Sequence, residues 1–199
     1  AIIWCIQNDV EIVNMSLGWD IGNNRCGAWW CDHFYAGTQA GMTFVAATGN
    51  DNLLRVRYPA SSHFVIAVGG YMAVYGSQAN RWYDPFESPV VGSNYGTMWY
   101  YDSFDEWCCP YCYSYYGDSE NKPNIYEAGD ISDVGSAGTS WASPLAAASI
   151  AIGIYGSGEG SRGCTYEQMR GYIALSNEYY IHHTWPWGFP DLHIIDTHT

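Results

Sequence analysis

The sequence predicts an α/β fold built on a parallel β-sheet. Three apolar runs, at residues 9–17, 42–47 and 64–69, have the nearly continuous hydrophobic character of buried parallel strands. A predicted helix from Ala28 to Ala40 separates the first two runs and ends at Gly41. Strand, helix and strand at this spacing indicate a βαβ unit, which requires a parallel sheet covered by helices.

The other predicted elements follow in chain order. Residues 1–8 predict the end of a helix, with Ile2, Ile3 and Ile6 on one face. The polar residues 19–27 predict a loop. The remaining segments are a strand at 125–128, a buried helix from Thr139 to Tyr155, and a second helix from Thr165 to Leu175 that opens with a Thr-x-x-Gln start signal.

The most informative stretch is Gly138 to Pro144, GTSWASP, which places a serine in a tight turn before a buried helix. Ser140 would lie at the helix N-terminus, where free N–H groups and the helix dipole favour negative charge. A serine there suits nucleophilic attack, because those donors stabilise the oxyanion of acyl transfer. A simple N-cap serine explains the same pattern.

This stretch resembles the nucleophile motif Gly-Thr-Ser-x-Ala-x-Pro of subtilisin-like serine proteases (subtilases, peptidase S8 type). Four more segments resemble that family in the same order: 9–18 (DVEIVNMSLG), 41–50 (GMTFVAATGN), 58–70 (YPASSHFVIAVGG) and 122–129 (KPNIYEAG). Residues 187–191 (WGFPD) resemble the family's closing turn before a last short helix. The resemblance implies a subtilisin-like three-layer sandwich, with a parallel β-sheet flanked by helices on both faces.

The resemblance also implies roles for single residues. Ser140 would be the nucleophile, and the Asn50 side-chain amide would donate to the oxyanion together with a backbone N–H at Ser140. Taken alone, Asn50 fits an ordinary turn asparagine. The backbone of Ser16, Leu17 and Gly18 would pair with the substrate as an added strand. Further residues implied to contact the substrate are Ala47, Thr48, Gly49, Arg57 and Thr139.

Arg57 directly precedes Tyr58-Pro59. The resemblance implies that this position lies at the floor of the pocket for the side chain before the scissile bond. A buried guanidinium there would favour Asp or Glu in the substrate. Arg57 filling the pocket or turning to solvent is the alternative. The resemblance also predicts a cis Tyr58–Pro59 bond.

The catalytic aspartate and histidine motifs of the family have no counterpart in the sequence. None of the six histidines, His33, His63, His182, His183, His193 and His198, lies in a recognisable base motif. A serine needs a base for activation. Residues 1–199 therefore resemble the C-terminal two-thirds of a subtilase catalytic domain, incomplete at its N-terminal side. We expect a missing N-terminal portion or a companion chain to supply the histidine and aspartate.

Residues 71–120 resemble the family least, and 97–119 predict an inserted aromatic loop that carries Cys108, Cys109 and Cys112. The loop either shapes the cleft, docks a partner or is a surface elaboration. The seven cysteines leave disulfides, free thiols and a metal site open, although the scattered cysteines outside the cluster lack metal-ligand spacing. No metal ligand is predicted.

Composition and net charge limit the kinds of partner that the protein can bind. A net charge of −13 argues against nucleic-acid binding, and no apolar run is long enough for a transmembrane helix. The acidic balance fits a secreted or extracellular protein. No cofactor is required for the chemistry that the resemblance implies, and calcium is common in the family.

The sequence therefore predicts a serine endopeptidase. The alternative is a catalytically inactive subtilase-like scaffold that binds peptides or partners, and a remoter one is an aromatic-rich extracellular binding protein with a coincidental match. The presence of both Ser140 and Asn50 favours the enzyme, because a binding cleft would not need both.

Overall fold

The computed structural model describes residues 1–20, 28–74, 78–81, 83–84, 91–99, 119–131, 136–156, 178–181 and 192–195. Three helices lie in this part of the chain: α1 (Ile2–Gln7), α2 (Ala28–Gln39) and α3 (Thr139–Gly156). Its strands are β1 (Ile12–Met15), β2 (Thr43–Ala47), β3 (Ile66–Val74), β4 (Gln78–Arg81), β5 (Tyr83–Asp84), β6 (Val91–Gly92), β7 (Gly96–Trp99), β8 (Ser119–Lys122), β9 (Ile125–Ala128), β10 (Asp130–Ile131), β11 (Ser136–Ala137), β12 (Glu178–Ile181) and β13 (Leu192–Ile195).

The main sheet has the strand order β1-β2-β3-β9-β13-β12. The pairs from β1 to β13 along this path are parallel, while β12 is antiparallel to β13 and β4 is antiparallel to β3. The predicted parallel α/β sheet is therefore confirmed, and its parallel strands end at one edge.

Side chains of β2 alternate between two hydrophobic clusters, one on each face of the sheet. Phe44 and Ala46 pack with Phe34 of α2 on one face. Val45 packs on the other face with Ala142 of α3. This period of two places α1 and α2 on one side and α3 on the other, which gives the three layers that the sequence predicts.

The predicted bounds of α2, β2, β9 and α3 are confirmed to within one residue, and the Tyr58–Pro59 bond is cis as predicted. β3 begins at Ile66, two residues later than predicted, and continues to Val74. A loop that hydrogen-bonds to the buried Lys122 occupies the intervening positions. The Lys122 ammonium donates to the carbonyl oxygens of Ser62 and Val65 at 2.9 and 2.7 Å.

Three expectations are wrong. β1 is only half-buried and its Asn14 is exposed, because among the described strands only β2 pairs with it. In α1, Ile2 and Ile6 share the packed face, while Ile3 is rotated by about 100° from Ile2 and is 56% exposed. A final short helix after residue 191 is replaced by β13, which pairs with β12.

Several predictions fall outside the described residues. These are the loop at 21–27, the helix at 165–175, the turn at 187–191 and the cysteine cluster at 108–112. Cys5 is a free, half-buried thiol, and the other cysteine side chains lie outside the described part. The ends of the predicted insertion are described: β7 and β8 pair antiparallel, from Gly96 opposite Lys122 to Trp99 opposite Ser119.

Candidate active site

The C-terminal ends of β1 and β2 meet the N-terminus of α3 at one edge of the sheet. Ser16 follows β1, Asn50 lies three residues beyond β2, and Ser140 is the second residue of α3. Loops that leave the C-terminal edge of a parallel sheet are the usual site of chemistry in α/β folds. The topology thus brings together segments that are 124 positions apart in the chain.

Asn50 and Thr139 hold each other in one orientation. The Asn50 Oδ1 atom accepts hydrogen bonds from the Thr139 backbone N–H at 2.9 Å and from the Thr139 hydroxyl at 2.8 Å. The Thr139 Oγ1 atom in turn accepts the Gly49 N–H at 3.1 Å. With its oxygen engaged twice, the Asn50 carboxamide is fixed so that its NH₂ group remains as the donor.

Ser140 is exposed, and its hydroxyl donates to the Ser16 carbonyl oxygen at 3.3 Å. Its backbone N–H belongs to the first turn of α3, where amides have no intrahelical partner. The site therefore combines a hydroxyl with two kinds of N–H donor, the Ser140 amide and the Asn50 side chain. Such a group can attack a carbonyl carbon while donors stabilise the oxygen.

A short hydrogen-bonded chain ties α3 to β1. The Ser143 hydroxyl donates to Asn14 Oδ1 at 2.6 Å, and Asn14 Nδ2 donates to the Ser16 hydroxyl at 3.0 Å. This contact was not predicted, although Ser143 lies in the GTSWASP stretch and Asn14 in the segment DVEIVNMSLG. These two hydrogen bonds fix the first turn of α3 over the end of β1.

A pocket of about 280 Å³ opens beside Ser140. Its lining residues are Leu17, Gly18, Ala47, Gly49, Asn50, Asp51, Arg57, Thr139 and Ser140. Every predicted site residue except Ser16 and Thr48 is in this lining. Ser16 contributes the carbonyl that receives the Ser140 hydroxyl, and Thr48 is fully buried behind the wall.

Asp51 also lines the pocket, although its sequence context did not predict it as a site residue. Its carboxylate forms two hydrogen bonds with Arg57, from Nε at 2.7 Å and from Nη2 at 2.6 Å. Asp51 directly follows Asn50 and has the opposite charge to Arg57 in the same loop, which is the signal that was available. The selection of acidic substrates by Arg57 stays a prediction. In the structure, the positive charge of Arg57 is paired with the Asp51 carboxylate.

No histidine hydrogen-bonds to Ser140 within the described ranges. His63 is buried, and its ring packs against Phe64 with centroids 5.3 Å apart. Nowhere in the described part do three His, Cys, Asp or Glu side chains approach closely enough to hold a metal ion. No helix among the described residues is both long and apolar enough to cross a bilayer.

Comparisons with solved structures identify the architecture. Pseudomonas sedolisin, a serine-carboxyl proteinase solved with two molecules of pseudo-iodotyrostatin, superimposes with a TM-score of 0.62 at 21% identity, covering 87% of this chain and 55% of its own. The prenylagaramide maturation protease PagA gives 0.57 at 22% identity, covering 89% and 55%. Sphericase gives 0.57 at 18% identity, covering 88% and 52%. These likenesses establish the fold, and this chain spans about half the length of each relative.

Among curated proteins, no sequence match was found. The sequence model of the subtilase family matches residues 1–177, which include α1 to α3, the pocket and Ser140.

Proposed function

The chain belongs to the subtilase family, and we propose that it carries the nucleophile and the oxyanion donors of a serine endopeptidase. Ser140 attacks the peptide carbonyl. Asn50 Nδ2 and the Ser140 N–H donate to the oxyanion. The observation that supports this assignment is the double hydrogen bond from Thr139 to Asn50 Oδ1, because it fixes the Asn50 carboxamide in the lining of the pocket that also contains Ser140.

Leu17 and Gly18 form the wall along which we propose that the polypeptide substrate binds. They follow the half-buried β1, which is an edge strand among the described residues, and Leu17 is 54% exposed. An extended peptide could add to this edge through main-chain hydrogen bonds. Substrate side chains would then alternate between the pocket and solvent.

We propose that the general base, with the aspartate that orients it, comes from outside these 199 residues, either from another portion of the protein or from a companion chain. The support is the outer face of α3. Trp141, Leu145, Ala148 and Ile152 form an apolar stripe on that face, and Trp141, Leu145 and Ile152 are 43, 37 and 72% exposed. Because the stripe starts one residue beyond Ser140, a segment that covers it is placed to bring a histidine to the hydroxyl.

No cofactor enters this reaction, since proton transfer and nucleophilic attack use side chains alone. Calcium is assigned to no residue, because no suitable ligand cluster occurs in the described part. We place the protein outside the cell, in line with its net charge of −13. Neither nucleic acid nor a membrane is part of the proposal.

The test is labelling with a fluorophosphonate, which reacts only with an activated serine. We expect the whole protein, with every chain that copurifies, to form an adduct on Ser140 that the Ser140→Ala variant lacks. The 199-residue chain alone should stay unlabelled, because its base is absent.

Failure to label in the presence of the histidine-bearing portion would contradict the enzyme and favour the alternative, an inactive peptide-binding scaffold. Labelling of the isolated chain would contradict an external base and place the base within these 199 residues.

A further inference from the structure

The pocket beside Ser140 is walled by an ion pair. Arg57 meets the Asp51 carboxylate through Nε and Nη2, at 2.7 and 2.6 Å, with one nitrogen on each oxygen. Both side chains are about one-third exposed, at 36 and 35%, and both line the pocket. The bidentate pair leaves no net charge at this wall.

Asn94 holds the Asp51 side of the pair. It is fully buried, and its Nδ2 atom donates to Asp51 Oδ2 at 3.1 Å. Its Oδ1 atom accepts the backbone N–H groups of Asp51 and Leu53 at 2.9 and 3.0 Å. An ordinary surface ion pair opens and closes, because nothing holds its long side chains. Here a buried carboxamide fixes the carboxylate and its backbone together.

Two glycines hold the Arg57 side. A Cβ atom on Gly49 would lie 2.8 Å from Arg57 Cδ, and one on Gly18 would lie 3.1 Å from Arg57 Cβ. The aliphatic part of Arg57 therefore passes between two backbone segments with no spare room. The confined stem brings the guanidinium to the pocket wall, where its two hydrogen bonds to Asp51 hold it.

We propose that Asp51 masks the charge of Arg57, so that the pocket takes an uncharged, hydrogen-bonding side chain such as glutamine and does not select an acidic one. Arg57 has five N–H donors, of which Asp51 takes two. The remaining donors can serve an amide oxygen, while the carboxylate can accept from an amide NH₂. An acidic side chain would have to compete with Asp51 for the same guanidinium. This inference rests on the proposed function of the cleft as the substrate site.

The experiment measures binding and needs no catalytic base. Acetyl-Ala-Ala-Ala-X peptides with a free C-terminus, where X is Gln, Glu or Lys, are titrated into the 199-residue chain by calorimetry. We expect the wild-type chain to bind the Gln peptide at least as tightly as the Glu and Lys peptides, with a Glu-to-Gln affinity ratio that salt hardly changes. Asp51→Asn should raise that ratio about tenfold, since a charge-assisted pair replaces a neutral one.

Asp20→Asn is the matched control. Asp20 pairs with Arg55, with side-chain exposures of 41 and 39%, and neither residue lines the pocket. The Asp20→Asn variant loses the same negative charge as Asp51→Asn, but away from the pocket. Its Glu-to-Gln affinity ratio should therefore equal that of the wild type. Arg57→Gln is the mirror variant and should raise the affinity for the Lys peptide relative to the Gln peptide.

The inference is overturned if the wild-type chain already prefers the Glu peptide by tenfold, or if the ratio in Asp51→Asn equals the ratio in Asp20→Asn. If Asp51→Asn does not fold, Arg57→Gln and the salt series on the wild-type chain decide the question alone. Absence of binding for all three peptides would instead contradict the cleft as the substrate site, and with it the proposed function.

Discussion

Thr139 holds the Asn50 carboxamide, the proposed oxyanion donor, in one orientation. It is 1% exposed, and its hydroxyl both donates to Asn50 and accepts from Gly49. The hydroxyl thus links the loop after β2 to the first turn of α3. An amide that is already oriented before the substrate arrives costs no reorganisation in the transition state.

Replacing Thr139 with Val should therefore lower both activity and stability. The shape is kept, but the Gly49 N–H loses its acceptor and Asn50 loses one of two donors. We expect the free energy of unfolding to fall by about 1–3 kcal/mol, the usual cost of a buried polar group left without its partner. Fluorophosphonate labelling of Ser140 in the whole protein should slow as well. Thr139→Ser keeps the hydroxyl and should behave like the wild type. Equal stability of the Val and Ser variants would show that the hydroxyl bonds contribute nothing.

At the residue scale, the sequence was informative where a motif is local. Asn50 and Ser140 each lie in a short recognisable segment, so both could be selected in advance. The opposite charges of Asp51 and Arg57 in one loop were a signal for their pairing, but the contact of Asp51 with Asn94 was not predictable, because it depends on how the loop after β2 folds back over residues 91–94. Resemblance to a family identifies positions, but it does not specify which neighbours a substituted residue finds.

At the scale of elements, α3 is the piece on which the sheet and the site both depend. Ala142, Ala146, Ala147 and Ile150 pack against side chains of β2, β3 and β9. The small residues let the helix approach the sheet closely. The same helix presents Ser140 at its first turn, so its packing and the position of the nucleophile are coupled.

Two alanines on α3 allow a matched test of this packing. Ala146 is fully buried against the sheet, whereas Ala148 is exposed. Ala146→Leu should destabilise the chain by about 1–3 kcal/mol, because a tightly packed core has no space for three more carbons. Ala148→Leu should change stability by less than about 0.5 kcal/mol. Urea unfolding of both variants measures the difference. Equal effects would mean that α3 is not closely packed on the sheet.

The sequence predicted helices and strands correctly where a whole segment is buried. It failed where burial or pairing depends on neighbouring strands that are distant in the sequence. β2 is fully buried and α3 has a long apolar run, so both were visible in the sequence. β1 has a similar apolar pattern but lies beside only one described strand, which composition cannot reveal. The strand β13 was mistaken for the start of a helix, because its pairing with β12 and β9 is a long-range property.

At the scale of the whole molecule, an exposed apolar surface on α3 lies beside the proposed nucleophile Ser140. The stripe from Trp141 to Ile152 lies on the face of α3 opposite the sheet. Exposed apolar residues that line up along a helix usually mark a surface that another segment covers. The proposed external base and this surface are therefore one hypothesis.

Leu145→Glu tests that hypothesis on the whole protein. Leu145 is 37% exposed, so the stability of the isolated chain should change little. Once the histidine-bearing portion covers the stripe, a buried and unpaired carboxylate would be costly. We expect Ser140 labelling to fall by about tenfold or more. Ala36→Glu, at an exposed position of α2, adds the same charge and should label normally. Similar labelling of the two variants would contradict docking on α3.

The ladder between β7 and β8 has a consequence for how such a protein diversifies. Its antiparallel pairing holds residues 99 and 119 side by side. The segment that connects them therefore starts and ends at the same strand pair. Lengthening a flexible loop twofold raises the entropic cost of closing it by only about 0.6 kcal/mol. A longer or shorter connection between residues 99 and 119 therefore costs little, and the serine, the asparagine and the sheet need not move to accommodate it.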